Sequence, residues 1–437
     1  MKKQKYTVGI VTLGCKVNQY ESEAIAEELE RRGFEICSPS TVCDAYVINT
    51  CTVTAESDRK ARQTIRRMIT RAPHAYVLVT GCYSQTTPDA IAAIAGVDYV
   101  CGSSNKMSVA DKLSELIQSG KCQTQVCVPN LDDAPFEPMS ITKFDRTRAY
   151  VKIQDGCESK CTYCAIPNSR GPIRSKPFND VIDEVRGLIA GGCREVVLTG
   201  IEIGSYGKDL NEGCDLASLL CAVDKLDGIG RVRLGSLDPA VIKPQFVEKI
   251  KNLSSLAPHF HLSIQSGSDK ILALMKRKYN SRQAMRAIEL LREAIPNVQF
   301  TTDIITGFPQ ESDEDFILSC EFVRHARFLM VHAFPYSKRS GTPAADMDGQ
   351  LQESVKHDRV RVLSSISAEV RAQILDNKIK SGESAQVLFE SREGEYAYGH
   401  TPDFIEVRVK CRDNMHGQIK NVTLLSHDGN VCDGILI

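Results

Sequence analysis

Three thiols stand close together in Asp155-Gly156-Cys157-Glu158-Ser159-Lys160-Cys161-Thr162-Tyr163-Cys164. Thiolates are soft ligands suited to iron–sulfur clusters, most of which take four of them. Three thiolates, Cys157, Cys161 and Cys164, at CxxxCxxC spacing leave one iron without a protein sulfur. The amino and carboxylate groups of a small molecule can chelate such an iron, and electron transfer can then cleave an adjacent sulfonium. Zinc is the competing reading. A zinc site usually takes four ligands with a second close pair, and no such pair follows. Three ordinary buried cysteines are the other alternative, but the motif sits in a loop directly after an expected strand.

A second group is dispersed along the chain. Cys15, Cys51 and Cys82 each follow an expected strand, in Thr12-Leu13-Gly14-Cys15, Asn49-Thr50-Cys51 and Thr80-Gly81-Cys82. Parallel strands point their carboxyl ends the same way, so three such ends meet at one edge of a sheet. Thiols far apart in sequence would then converge in space. Gly14 and Gly81 would let the backbone approach a bulky group closely. The chain has 17 cysteines. The other eleven, Cys37, Cys43, Cys101, Cys122, Cys127, Cys193, Cys214, Cys221, Cys320, Cys411 and Cys432, are expected to be small buried apolar groups.

The elements that must hold these groups are legible as alternation. Strands are expected at 6–13, 45–49, 75–80 and 97–101, with helices at 21–32, 56–70 and 88–95, a pattern that argues for a parallel sheet with helices on its faces. Residues 119–147 lose the periodicity, carry Pro129, Pro135 and Pro138, and read as a linker. Alternation resumes with strands at 149–154, 195–199, 231–235, 259–264, 299–305 and 329–334. Helices fit between them at 178–190, 216–226, 244–252, 281–294 and 313–325. Six β/α steps make a partial (β/α)6 barrel, with functional groups at the strands' carboxyl ends. One long helix is expected at 353–380. A tail with strands at 385–389, 404–409 and 418–425 reads as a small β-barrel. The fold class is α/β, in four parts: an amino-terminal parallel α/β domain (1–118), a linker (119–142), a barrel core (143–374) and a carboxyl-terminal β-barrel (375–437).

Composition narrows the function classes. A long chain with an odd, scattered cysteine count does not fit a secreted disulfide framework, which is short and paired; a reducing cytoplasm fits. The start, Met1-Lys2-Lys3-Gln4-Lys5 before an apolar stretch ending at Cys15, faintly resembles a lipoprotein signal. Gly9 and Thr12 break that stretch, and a signal needs about 7–15 apolar residues. No segment approaches the roughly 20 apolar residues of a membrane span. With a net charge of −1, any nucleic acid must be held by local basic patches. One candidate runs from Arg59 to Arg71, where Arg59, Lys60, Arg62, Arg66, Arg67 and Arg71 occur with no acid between them. The tail from 381 has more acids than bases; Phe404 and Tyr398 could stack on bases there or simply pack in its core.

Taken together, these motifs resemble the radical S-adenosylmethionine (SAM) methylthiotransferase family over essentially the full chain. The resemblance rests on Thr12-Leu13-Gly14-Cys15-Lys16-Val17-Asn18, Lys152-Ile153-Gln154-Asp155-Gly156-Cys157, His261-Leu262-Ser263-Ile264-Gln265-Ser266-Gly267-Ser268 and Thr302-Asp303-Ile304-Ile305-Thr306-Gly307-Phe308-Pro309. Gly14–Asn18 and Ala333-Phe334-Pro335-Tyr336-Ser337-Lys338-Arg339 are most similar to the MtaB-type branch, which modifies N6-threonylcarbamoyladenosine at position 37, beside the anticodon of tRNA. The resemblance implies a TRAM-like carboxyl-terminal domain, two [4Fe–4S] clusters and two equivalents of SAM. Cys157, Cys161 and Cys164 would hold the radical-generating cluster, and Cys15, Cys51 and Cys82 the sulfur-handling one. Ser236, Gln265 and Arg277 are candidate SAM contacts. Glu202 and Gly235 depart from the residues usual in relatives. The chemistry further calls for tRNA, a low-potential electron donor such as flavodoxin or ferredoxin, and a sulfur donor. The alternatives are the same chemistry on N6-isopentenyladenosine or on a ribosomal-protein aspartate, or a non-catalytic iron–sulfur RNA-binding scaffold.

Overall fold

The computed structural model describes residues 5–144, 146–210 and 213–437. Residues 1–4, the start of the lysine-rich segment weighed above as a signal, lie outside them.

The amino-terminal part is one parallel sheet. Its strands are β1 (Thr7–Thr12), β2 (Glu35–Cys37), β3 (Ala45–Thr50), β4 (Tyr76–Gly81), β5 (Tyr99–Cys101) and β6 (Gln125–Cys127), in the spatial order β2-β1-β3-β4-β5-β6. Every residue of β3 is buried, as expected of a central parallel strand covered on both faces. Helices α1 (Lys16–Arg31), α2 (Ala55–Arg71) and α3 (Cys82–Thr86) start almost at the ends of β1, β3 and β4. Several elements differ from expectation: β2 and the helix Ser108–Ser119 lie outside the expected pattern, and two further differences have a local physical reason. Residues 125–127 fall in the expected linker, yet they pair with β5 and complete the sheet edge. The short helix α3 begins at Cys82 itself, because Gly81 turns the chain sharply with φ of 107°.

The second part curves. Strands β7 (Arg148–Lys152), β10 (Glu195–Thr199) and β11 (Arg231–Leu234) form one parallel sheet, and β12 (Ser236–Leu237), β13 (His259–Gln265), β14 (Gln299–Thr306) and β15 (Met330–Pro335) another. A small hairpin, β8 (Gln154–Asp155) with β9 (Arg174–Ser175), flanks the cysteine loop. The two sheets are joined at Gly235. Before it the chain pairs with β10, and after it with β13, so the expected 231–235 strand is one strand that changes partners. A bridge between Val232 and Leu256 closes the seam. This is the expected six-step partial barrel. Along β13, Phe260, Leu262 and Ile264 are buried while His261, Ser263 and Gln265 are reached by solvent. That period of two puts the apolar set against the helices and the polar set into the lumen.

The helix Glu353–Lys380 spans the expected range. It leads into a closed barrel of β16 (Ser384–Glu393), β17 (Tyr396–His400), β18 (Glu406–Lys410), β19 (Ile419–His427) and β20 (Cys432–Leu436), ordered β16-β17-β18-β20-β19. This small barrel packs under the large one. Arg231 donates to the carbonyls of Gln386 (2.9 Å) and His400 (3.2 Å), and Arg233 to that of Pro402 (3.1 Å). Phe404 is no RNA platform. It stacks on His259 at 4.5 Å and His400 at 4.8 Å, beneath the guanidiniums of Arg148 and Arg233, and so plugs the floor of the lumen. Among the described residues no helix is long and apolar enough to cross a membrane.

Candidate functional site

The dispersed cysteines converge because the strands are in register. Thr12 pairs with Asn49, and Asn49 with Thr80. Cys15 lies three residues past that line, Cys51 and Cys82 two residues past it, so all three occupy one sheet edge. The loops touch closely. A Cβ on Gly14 would stand 2.6 Å from the Cβ of Cys51 and 2.9 Å from its Sγ, and one on Gly81 would stand 2.4 Å from the Thr50 carbonyl oxygen. These glycines therefore let the three loops approach one another, a different use from the expected accommodation of a bulky group. Asn18 holds the edge together, donating to the carbonyls of Leu13 (2.7 Å) and Thr50 (2.9 Å).

Cys51 and Cys82 are buried, while solvent reaches Cys15. Burial pushes the Cys51 thiol up to about 11, helped by Cys82 and, more weakly, Cys15. The Cys15 thiol is raised by its enclosure, with Arg170 opposing. The second group behaves alike: burial first, then its neighbours Cys161 and Cys157, push Cys164 up to about 12. Two sets of mutually sensed thiols fit the donor sets of two clusters, and loading iron must displace the protons that burial favours on Cys15, Cys51 and Cys164.

Cys157, Cys161 and Cys164 occupy the loop between β8 and β9, at the carboxyl end of the first barrel strand. Gly156 is required there, because a Cβ would meet the Pro172 carbonyl at 1.7 Å. The three candidate SAM residues gather nearby, around the end of β13. The Ser236 and Ser263 hydroxyls lie 2.5 Å apart, and Gln265 ends the strand with φ of 67°. Arg277 is already committed. It donates to Cys161 Sγ (3.3 Å), to Asp238 (2.8 Å), to the Ser263 carbonyl (3.1 Å) and to Tyr279 (3.0 Å). Its evident work is to tie the cysteine loop to the barrel. Glu202 accepts the Ser205 hydroxyl, and burial raises its carboxyl above the usual range.

The residue that sequence reading missed is Arg170. It is fully buried and runs from Cys82 of one cysteine group to Asp155, two residues before Cys157 of the other. Its Nε donates to Cys82 Sγ at 3.1 Å, and its Nη atoms donate to Asn18 (2.5 Å), Glu21 (2.6 Å) and Asp155 (3.1 Å). Lys106 and Lys152 also pair with Glu21, and Lys152 with Asp155 at 2.6 Å. Burial alone would raise the Glu21 carboxyl; the cations Arg170, Lys106 and Lys152 outweigh it and hold the group well below its usual range. A second clasp crosses from the barrel. Arg339 donates to Asp58 (2.6 Å) and Thr52 (2.7 Å), and Ser337 accepts the Ala55 amide (3.2 Å). The signal was a cluster of charges in otherwise apolar segments, but the partners are too distant in sequence to pair by inspection.

The basic stripe on α2 is partly neutralised. Arg59 and Lys60 pair with Glu56, just before the stripe, Arg62 donates to Tyr83 (2.8 Å), and Arg71 donates to the Pro39 carbonyl. Arg66 and Arg67 are exposed and make no ion pair among the described residues. Among the other cysteines, Cys122 and Cys127 are exposed, and Cys37, Cys214, Cys221 and Cys411 only half-buried; all but Cys221, which lies in the helix Leu216–Val223, sit in short edge strands or loops. A wide cleft of about 1490 Å³ between α1 and residues 134–143 is lined by Glu27, Glu30, Lys143 and Asp180, away from both cysteine groups.

Comparison with known proteins agrees with this geometry. Residues 151–323 match the radical SAM superfamily, and residues 7–102 match an uncharacterized protein family, UPF0004. The chain is 38% identical over 427 residues to the threonylcarbamoyladenosine tRNA methylthiotransferase MtaB of Bacillus subtilis, covering 96% of this chain and 94% of that protein. It is 41% identical over 365 residues to the protein of the same name from Thermotoga maritima, covering 83% and 82%. A tRNA-2-methylthio-N(6)-dimethylallyladenosine synthase of Clostridium tetani is 34% identical, over 84% of this chain and 82% of that one. In fold it is similar to the radical SAM methyltransferase TsrM of Kitasatospora setae, solved with cobalamin and a [4Fe–4S] cluster, with a TM-score of 0.58 and 16% identity over 78% of this chain and 77% of that one. With such identity across nearly its whole length, the chain belongs to the radical SAM tRNA methylthiotransferase family and is an enzyme.

Proposed function

We propose that this enzyme adds a methylthio group to carbon 2 of N6-threonylcarbamoyladenosine at position 37 of tRNA. The observation that carries the reading is the convergence of Cys15, Cys51 and Cys82 on one sheet edge, tied by Arg170 to Asp155 at the start of the loop that bears Cys157, Cys161 and Cys164, in a chain that matches a threonylcarbamoyladenosine tRNA methylthiotransferase over 96% of its length. Cys157, Cys161 and Cys164 would hold one [4Fe–4S] cluster, and Cys15, Cys51 and Cys82 another. When bound, the first supplies the electron that cleaves SAM to a 5′-deoxyadenosyl radical, and the second supplies or carries the sulfur that becomes the methylthio group.

The chain's own residues do the positioning. Arg277 holds the Cys161 loop against the barrel, leaving Ser236 and Gln265 at the strand end to meet SAM. Arg170, Asn18 and the two glycine turns fix the second triad over the same mouth. Arg66 and Arg67 offer phosphate contacts on the outer face of the amino-terminal sheet. A low-potential donor such as flavodoxin or ferredoxin and a separate sulfur donor complete the reaction, in a reducing cytoplasm. In domain terms the amino-terminal unit, extended to Cys127, roofs the core at 143–374, and the TRAM-like barrel from 375 closes it below.

Mass spectrometry of bulk tRNA nucleosides from a deletion strain tests the reading. Loss of 2-methylthio-N6-threonylcarbamoyladenosine, restored by the gene, is the expected result. Loss of the methylthio-isopentenyl nucleoside instead would reassign the substrate, and unchanged tRNA would refute the reading. Anaerobic protein given dithionite and SAM should release 5′-deoxyadenosine, which a non-catalytic scaffold would not.

A further inference from the structure

Lys16 follows Cys15 directly, yet its side chain does not join the polar network that surrounds its neighbours. Among the described residues it makes no hydrogen bond or ion pair. The side chain is exposed to solvent, and its charged neighbours place it over the barrel lumen. The charges that act on it lie on the lumen wall and floor, Arg233, Arg148, Asp303 and Glu195. Around it the wall carries hydrogen-bonding groups. His261 Nε2 lies 3.2 Å from Asp303 Oδ2, and His332, on the neighbouring strand, is directly in register with Asp303. The floor holds an unused donor too: Arg233 Nη2 is buried without a hydrogen-bond partner, while Arg148 Nε faces Glu195 at 3.3 Å. Above His332 the ring of Phe334 is 48% exposed and stacks with His332 at 6.4 Å. That is an apolar aromatic face at the mouth of a polar chamber.

We propose that the lumen is a carboxylate subsite, in which Lys16, with His332 on the facing wall, reads the negative charge of the threonyl arm of the target nucleoside. The assignment rests on the substrate proposed above and deepens it. On adenine, carbon 2 and the N6 substituent lie on opposite sides of N1. A base stacked on Phe334 with carbon 2 towards the cysteine groups therefore projects its N6 arm away from them, down the lumen. An aromatic face supports any base, so it cannot tell one N6 arm from another. A cation waiting without a partner over the lumen can, because a neutral arm would leave it unpaired. His261, His332 and Asp303 could also be read as metal ligands. His261 instead spends both ring nitrogens on the wall, one on the Thr301 hydroxyl at 2.9 Å and one on Asp303 at 3.2 Å, and His332 is the ring whose charge Lys16 senses.

The test uses full-length enzyme, anaerobically reconstituted, with two anticodon stem-loop RNAs. One carries N6-threonylcarbamoyladenosine and the other its carboxyl methyl ester, which keeps the shape and removes the charge. The readouts are the ratio of kcat/KM for the two RNAs and the ratio of their dissociation constants. Ratios within one preparation cancel any difference in folded or iron-loaded fraction. Wild type should favour the acid by about 10- to 100-fold, as expected for a hydrogen bond to a charged group. Lys16→Met should bring the ratio close to one, while Lys16→Arg should keep most of it. A wild-type enzyme indifferent to the ester, or a Lys16→Met variant with undiminished preference, overturns the subsite. A wild-type enzyme that ignores both RNAs but modifies an isopentenyladenosine stem-loop overturns the substrate assignment, and the subsite with it.

Discussion

At the scale of single residues, the two cysteine triads should separate two halves of one reaction. Cys161→Ala removes a ligand that a three-thiolate cluster cannot spare, so 5′-deoxyadenosine production should vanish. Cys51→Ala leaves that loop intact; it should keep SAM cleavage and lose the methylthio nucleoside. Liquid chromatography of the same reaction mixtures reads both products, and a Cys51→Ala variant making normal modified RNA would remove the second triad from the mechanism. The six cysteines were legible for two different reasons. Cys157, Cys161 and Cys164 are local, and their spacing is itself the signal. Cys15, Cys51 and Cys82 became visible only through their common position after strands, which the register of Thr12, Asn49 and Thr80 then realised. Arg170 was not legible. Its partners Asn18 and Glu21 are 152 and 149 residues away, and Cys82 is 88 away. Nothing local marks it except its place just before Gly171.

At the scale of elements, turns and buried charges hold the triads in place. Gly81 sits at positive φ against the Thr50 backbone, so Gly81→Ala must move the β3 and β4 loops apart. The expected outcome is loss of roughly half the iron, about four of eight atoms per chain if both clusters are cubanes, with SAM cleavage kept. Iron and sulfide counting on anaerobic protein checks it. Arg170→Gln removes the main cation from Glu21 and Asp155. Breaking a buried ion pair from one side costs about 3–5 kcal/mol, read as a lower urea midpoint, and adding Glu21→Gln should recover part of the loss. A midpoint unchanged in Arg170→Gln would show that Lys106 and Lys152 suffice. Most strands and helices were legible from alternation, and 353–380 was matched at both ends. The omitted strands share a cause; the omitted helix Ser108–Ser119 does not, being twelve residues long with Val109, Leu113 and Leu116 buried. Strands β2, β6, β17 and β20 are three to five residues long, too short for a periodic pattern. β6, β17 and β20 depend on pairing partners supplied by the rest of the chain. The α2 stripe is less positive than its sequence reads, since Glu56, one turn before it, pairs with Arg59 and Lys60.

For the whole molecule, the floor of the barrel offers a pH handle. Burial, and after it Arg233, hold the His259 imidazole well below its usual range, so it is neutral in the folded protein. A histidine depressed in this way contributes stability above its unfolded value of about 6.5 and loses it as the pH falls below that. Burial alone would raise Glu195 on the same floor, but Arg233 and Arg148 hold it at about 2, so it stays charged throughout that window. The urea midpoint should therefore fall further between about pH 7.5 and pH 5.5 in wild type than in His259→Asn. Equal falls would assign the acid sensitivity elsewhere. The position of Phe404 has a kinetic consequence as well. A chamber stoppered at its base loads from the end at which both sulfur-ligand sets stand. Spent nucleoside, fresh SAM and the RNA loop must then take turns. Turnover becomes a queue in which an RNA that arrives early bars the exchange behind it, and excess RNA should slow the enzyme rather than saturate it.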